Sequence, residues 1–152
     1  GGKRGPIVVV SKTNFDHTLW EHDGKAWKRR GQIKARVNAI AWDPAKDIAY
    51  CVGDDIFAVT KAGRVTKLPN PTDDGDRELW SATWANGTLY AGTLGSLQEI
   101  DLETGDIAKE WRVRGEVPNN HSLFSNGKLV VYIARSTLHV LAGGKLKAIS
   151  VA

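Results

Sequence analysis

Ile56, Leu97 and Leu138 stand 41 residues apart, and so do Val59, Ile100 and Leu141. A repeat of about 40 residues constrains a fold more than any composition can, because it implies one supersecondary unit stacked on copies of itself. Three short runs open the units: Ala39-Ile40-Ala41-Trp42, Ser81-Ala82-Thr83-Trp84 and Ser122-Leu123-Phe124. Each leads into a tight-turn signal, namely Asp43-Pro44-Ala45-Lys46-Asp47, Asn86-Gly87 and Asn126-Gly127. Asn-Gly favours the positive torsions of a two-residue hairpin. A β-rich run follows each turn: Ile48–Val52, Leu89–Thr93 and Leu129–Ile133. The 41-residue positions mark a third strand, ended by Gly63, Gly105 and Gly143-Gly144. A more polar fourth strand closes each unit: Arg64–Leu68, Asp106–Trp111 and Lys145–Ile149.

The N-terminal stretch fits the same frame with one strand fewer. Ile7–Lys12 takes the second-strand position, His17–Glu21 the third, Asp23-Gly24 the turn and Lys25–Arg29 the fourth. The pattern predicts 15 strands and no helix, since no long window sustains an apolar stripe at helical spacing free of Gly or turn pairs. Four antiparallel strands per unit is the signature of a β-propeller blade. One small twisted sheet cannot bury both faces alone, whereas blades stacked around an axis bury each face on a neighbour. The expected fold is therefore an all-β propeller of about four blades, approximately 6–32, 33–70, 76–115 and 118–152, alone or as part of a larger or assembled propeller. Trp42, Trp84 and Phe124 are expected to fill the gaps between blades, and the Ala, Ser and Thr of the first strands to suit a crowded axis.

One unit carries a family resemblance. Residues 87–105, read Gly-Thr-Leu-Tyr-Ala-Gly-Thr-Leu-Gly-Ser-Leu-Gln-Glu-Ile-Asp-Leu-Glu-Thr-Gly and followed by Trp111, resemble the repeat of quinoprotein-like (PQQ-type) and YVTN-type propellers. The resemblance extends partially to the other three units. It implies a propeller of roughly six to eight blades, of which this chain is about half, or else a small four-bladed ring.

Composition sets outer bounds. With 152 residues, 41% hydrophobic and 25% charged, neither wholesale disorder nor a membrane-embedded chain is expected. The early apolar run Ile7–Val10 is too short for a membrane span or a signal-peptide core. A single Cys51 excludes an intrachain disulfide, leaves the compartment open and, within an apolar strand, reads as an inert buried thiol. The absence of Met, with Gly1-Gly2 first, suggests a processed or excised chain. The net charge of +4 is local, because residues 1–36 hold nine Lys or Arg against three acids.

Propellers bind mainly through the loops at one face. Here those loops are expected at Lys12–Asp16, Arg30–Arg36, Gly53–Asp55, Pro69–Arg77, Leu94–Ser96, Arg114–Asn120 and Arg135–Ser136. They nominate Asn38, Asp54, Asp55, Asn119, Asn120 and Arg135 as ligand or partner contacts, with Trp80 as an aromatic at the axial rim. Asp73, Asp74 and Asp76, with Gly75 and Glu78, concentrate oxygen ligands but lack EF-hand spacing, and read as a solvated acidic loop. Lys25, Trp27, Lys28, Arg29, Arg30, Lys34 and Arg36 form a basic patch. It suits a polyanion, yet it also suits an outermost strand charged against edge-to-edge pairing, and its modest charge disfavours nucleic acid. His17 and His22 differ by an odd number on a strand and so face opposite sides, which argues against zinc.

No nucleophile elbow, phosphate loop or zinc-protease motif is present, so no enzyme activity, cofactor or metal is expected. The leading expectation is a non-enzymatic scaffold that binds a protein partner or a second copy through its loop face and incomplete first blade, whose open strand slot is a pairing template. The alternatives are a glycan-binding propeller using Trp80 with loop Asn and Asp residues, and a segment of a quinoprotein-like enzyme.

Overall fold

The computed structural model describes residues 7–70, 78–113, 118–134 and 137–150, and within them every side chain except those of 7, 8, 10, 12, 118–122, 134 and 150. Asn86 and Gly87 both take positive φ, 51° and 80°, so the chain reverses in two residues, as the Asn-Gly pair predicts. Asp43 achieves the same reversal differently. Its Oδ1 accepts hydrogen bonds from the N–H groups of Ala45 and Lys46 at 2.9 and 3.2 Å.

The described residues form 15 strands and no helix. Blade 1 consists of β1 (Ile7–Thr13), β2 (Asp16–His22) and β3 (Trp27–Ile33). Blade 2 holds β4 (Val37–Asp43), β5 (Ile48–Gly53), β6 (Ile56–Thr60) and β7 (Val65–Leu68). Blade 3 holds β8 (Ser81–Ala85), β9 (Thr88–Gly92), β10 (Ser96–Ile100) and β11 (Ile107–Arg112). Blade 4 holds β12 (Pro118–Ser125), β13 (Val130–Ala134), β14 (Thr137–Ala142) and β15 (Lys145–Ser150). Each blade is an antiparallel meander in sequence order, three-stranded in blade 1 and four-stranded in the others.

Three cores lie between the blades. Leu19 and Ile33 of blade 1 meet Ala49, Cys51 and Val59 of blade 2. Tyr50, Val52 and Ile56 of blade 2 meet Ala82, Leu89, Ala91 and Ile100 of blade 3. Tyr90 and Leu97 of blade 3 meet Leu123, Val130, Tyr132 and Leu141 of blade 4. Trp42 belongs to the first core, and Trp84 stacks on Tyr50 at 5.1 Å and 15° in the second. Both act as blade spacers.

Phe124 does not, which corrects the sequence reading. Cross-strand pairs place Leu141 opposite Val130 and Val130 opposite Ser125, whereas Ile100 pairs with Leu89 and Leu89 with Trp84. Ser125 therefore occupies the Trp84 position, and Phe124 lies on the other face, 53% exposed. The cause is local. Asn126 Oδ1 accepts from the N–H groups of Lys128 and Leu129 at 3.0 and 2.9 Å, and the turn runs on to Leu129. The second strand of the blade starts at Val130, and Leu123 takes the interblade site.

The glycines after the third strands do more than turn the chain. A Cβ on Gly63, whose φ is +84°, would lie 2.5 Å from the Arg30 carbonyl oxygen of blade 1. On Gly105, with φ +81°, it would lie 2.4 Å from Pro69 at the end of blade 2. Gly144 accepts hydrogen bonds from Lys109 Nζ and Trp111 Nε1 of blade 3 at 3.1 and 3.3 Å. Each turn thus seats against the outer edge of the preceding blade.

Gly63→Ala is expected to cost about 3 kcal/mol, combining a left-handed backbone with a backbone clash, whereas Gly87→Ala, with open space around it, costs about 1 kcal/mol. Equal losses in denaturant unfolding would remove the interblade role of Gly63. Cys51 is fully buried, and burial pushes its thiol up to about 12, so the folded chain should label with a thiol reagent no faster than it unfolds. Rapid stoichiometric labelling at pH 7 would contradict that burial.

Candidate functional site

The inner strands converge on an axial groove of about 370 Å3, lined by Val9 and Ser11 of β1, residues 37–40 of β4, Ser81 and Ala82 of β8, and Leu123 and Phe124 of β12. Small residues at Ala39, Ser81 and Ala82 let these strands approach the axis, as the first-strand composition predicts. Blade 1 contributes differently from the others. Its innermost strand, β1, takes the second-strand position of the repeat, and among the described residues its only strand partner is β2. Among the described residues, the opposite backbone edge of β1 borders the groove without a strand partner.

Beside the groove, polar side chains tie the blades together. Arg36 Nη1 donates to Glu78 Oε1 at 2.6 Å, and Asn38 Nδ2 donates to the same oxygen at 2.8 Å and to the Leu79 carbonyl at 2.9 Å. The hydrogen bond that Arg36 donates to Glu78, and then the charge of Glu78, raise the Arg36 pKa further, keeping it cationic. The Arg36 guanidinium also sits 5.7 Å above the Phe15 ring. His17 is buried facing blade 2, with Nδ1 2.7 Å from Ser11 Oγ and Nε2 3.0 Å from the Asn14 carbonyl. His22 lies on the opposite face, edge-on to Trp27 at 5.1 Å.

The nominated residues disperse. Asn38 and Arg36 meet through Glu78, which the sequence pointed to only as part of an acidic loop. Asp54 is exposed, with its carbonyl accepting from Asn70 Nδ2 at 2.6 Å, and Asp55 pairs with Lys67 at 2.8 Å. Trp80 is half-buried, and its Nε1 is buried without a hydrogen-bond partner among the described residues. Asn119 and Asn120 lie within β12 rather than in a loop, because that strand begins at Pro118. Asp73, Asp74, Asp76 and Arg135 lie outside the described residues.

The basic patch spreads along and beyond β3, the outermost strand of blade 1. Arg30 pairs with the buried Glu21 at 2.5 Å and donates to the Lys61 carbonyl of blade 2 at 2.7 Å. Lys28 pairs with Asp23 at 2.7 Å, and that contact, with the N–H groups of Ala26 and Lys25, holds the Asp23 carboxyl well below the usual range. Arg29 donates to Gln32, which donates to Asp16, each at 2.7 Å. Lys25, Lys34 and Trp27 are exposed or nearly so: Lys25 and Lys34 are exposed, and Trp27 is 48% exposed. Sequence reasoning did not find Val9 and Ser11; their signal was the missing inner strand of the first unit, which leaves the next strand on the axis.

Among the described residues, no group of three or more His, Cys, Asp or Glu converges as a metal site would require. Among the same residues, no helix is long and apolar enough to cross a membrane. No protein-family profile matches the chain. Among curated proteins it is similar to the immune protein Tsi7 of Pseudomonas aeruginosa, at 29% identity over 109 residues, covering 61% of this chain and 33% of that protein. Among solved structures it is similar to the WD40 β-propeller domain of Doa1, with TM-score 0.63 and 13% identity over 95% of this chain and 51% of that one. BamB from Moraxella catarrhalis gives TM-score 0.63 and 14% identity over 98% and 48%, and the computationally designed Ika8 gives 0.61 and 15% over 94% and 48%. The fold is a β-propeller. The chain spans about half the length of these solved structures and about a third of the curated relative.

Beside the Leu94–Ser96 loop, Gln98 Nε2 donates to Glu110 Oε1 at 3.2 Å. Burial raises the Glu110 carboxyl, but hydrogen bonds from Gln98, Ser96 and Arg112 outweigh it and lower its pKa below the ordinary 4.5. A lowered folded pKa contributes stability that is present above the ordinary value and lost as pH falls through the folded one. Glu110→Gln should therefore flatten the acid limb of the stability profile below pH 4.5 and leave its slope above pH 6 unchanged. An unchanged acid limb in urea unfolding at a series of pH values would show that Glu110 makes no such contribution.

Proposed function

We propose that this chain is a non-enzymatic β-propeller scaffold that binds a protein partner, receiving an extended segment of it along the axial groove. The observation that carries this reading is the edge of β1 beside that groove, which has no strand partner among the described residues. A row of free N–H and C=O groups on a strand held rigidly from behind is a template for strand addition. The place beside β1 corresponds to the places of β4 and β8, so those strands describe what fits. Both run from small residues to a large aromatic, Ala39 to Trp42 and Ser81 to Trp84. The expected ligand is an extended segment of small residues ending in an aromatic. A protein partner also accords with the name of the curated relative, an immune protein. The glycan reading rested on Trp80, whose indole N–H points into protein rather than toward solvent.

A fluorescent peptide with the sequence of Val37–Asp43 tests the proposal. It should bind and slow amide exchange across Ile7–Thr13, and N-methylation of the peptide amides along one edge should weaken binding at least about tenfold by removing ladder hydrogen bonds. Equal affinity of the methylated peptide, or protection confined to the loops, would reject strand addition.

A further inference from the structure

Blades 3 and 4 each turn from first to second strand at an Asn-Gly pair, Asn86-Gly87 and Asn126-Gly127. Such a pair is chemically labile, because a glycine without Cβ lets its amide nitrogen approach the asparagine side chain. The corresponding turn of blade 2, Asp43-Pro44, offers neither an amide leaving group nor a backbone N–H. Both pairs are exposed, so burial does not distinguish them.

Their hydrogen bonds do. Asn126 Oδ1 accepts from the N–H groups of Lys128 and Leu129 at 3.0 and 2.9 Å, and among the described residues nothing holds its Nδ2. Asn86 is the reverse: its Nδ2 donates to the Lys128 carbonyl at 2.9 Å, its Oδ1 has no donor among the described residues, and its backbone sits at a φ of 51°. The two turns also grip each other. Asn86 N donates to the Gly127 carbonyl at 2.9 Å, beside the Nδ2 bond to Lys128. Residues 126–128 are thus where blade 3 is tied to blade 4 at this end of their interface.

We propose that Asn126 is a site of spontaneous deamidation, selected over Asn86 by its hydrogen bonds, and that the isoaspartate it yields loosens the contact between blades 3 and 4. The Gly127 amide nitrogen, losing its proton to water, attacks Asn126 Cγ. The Cγ–Nδ2 bond breaks, Nδ2 leaves as ammonia with a proton returned by water, and a succinimide closes. Water then opens either imide carbonyl, giving aspartate or isoaspartate. As Gly127 attacks, negative charge develops on Oδ1, where two N–H groups already stand at the distances of an oxyanion hole. The Gly127 N–H donates to Ser125 Oγ at 2.8 Å, a neutral bond that attack must break. Bonds to an ionised acceptor are roughly twice as strong as neutral ones, so the pair on Oδ1 outweighs it. At Asn86 the departing nitrogen is instead held by the Lys128 carbonyl. Isoaspartate carries the main chain through Cβ and Cγ and lengthens it, which displaces the Gly127 and Lys128 carbonyls from Asn86. Ordinary aspartate keeps both the Oδ1 cap and the turn.

Folded wild-type chain held at mildly alkaline pH, then digested and read by mass spectrometry, tests the selection. Asn126 should convert at least about tenfold faster than Asn86, and the two rates should converge in urea, where the bonds that separate them are gone. Equal folded rates or a faster Asn86 would overturn the assignment. So would the same ratio persisting in urea, since flanking sequence would then account for it. Hydrogen exchange on the separated isoaspartate form tests the consequence. There the Asn86 amide should exchange at least about tenfold faster than in the unmodified chain, while Asn126→Asp leaves it unchanged. An Asn86 amide equally protected in the isoaspartate form would overturn the proposed loosening, and equal loss in Asn126→Asp would overturn its backbone cause in favour of charge.

Discussion

Everything in this fold depends on one constraint: a blade of three or four short strands has two apolar faces and cannot bury either by itself. Ile56 and Leu97, alike in position and fully buried, both lie in cores completed by side chains of the next blade. At about 25 cal/mol per Å2 of apolar surface removed from water, such cores dominate the favourable side of folding. Stability is accordingly a property of neighbouring pairs. That explains why the turn glycines matter beyond their torsions: at Gly63 and Gly105 a methyl group would push apart two blades, not merely strain one loop.

Polar contacts have a different task. Arg36, Glu78 and Asn38 link the entry to blade 2 with the entry to blade 3, and Arg30 spans from Glu21 of blade 1 to the Lys61 carbonyl of blade 2. Partly exposed ion pairs of this kind contribute modestly to stability, but they fix the angle at which each blade enters the stack. The inner strands then meet at the axis with Ala39, Ser81 and Ala82, and the space left by their small side chains is the groove. A rigid wall of that kind suits recognition, because no loop has to be ordered when a ligand arrives.

Much of this was legible in the residues. The 41-residue spacing located the third strands, Asn86-Gly87 specified a hairpin, and alternation along β2 put His17 and His22 on opposite faces. What failed did so for local physical reasons. Phe124 resembles Trp42 and Trp84 in sequence, but Asn126 spends its carboxamide oxygen on two backbone N–H groups, and the longer turn that results moves Phe124 to the other face. The basic patch looked like one surface because sequence cannot show that Arg30, Lys28 and Arg36 each have a different acid at hand. Asn38 and Glu78 lie 40 residues apart, and only the stacking of two blades brings them together.

Among the described residues, the edge of β1 and the far face of blade 4 are surfaces of different kinds. The free edge of β1 presents backbone donors and acceptors, so it selects for extended conformation more than for side chains, and a single segment satisfies it. The far face of blade 4 presents Ile133, Leu138, Ile149 and their neighbours with the backbone of β13 and β14 already paired. In the three internal interfaces the second requirement is met by the next blade, while the edge beside the axis is supplied within each complete blade by β4, β8 or β12. Blade 1 separates the two requirements, since among the described residues it has no strand at the inner position yet keeps the rest of the meander.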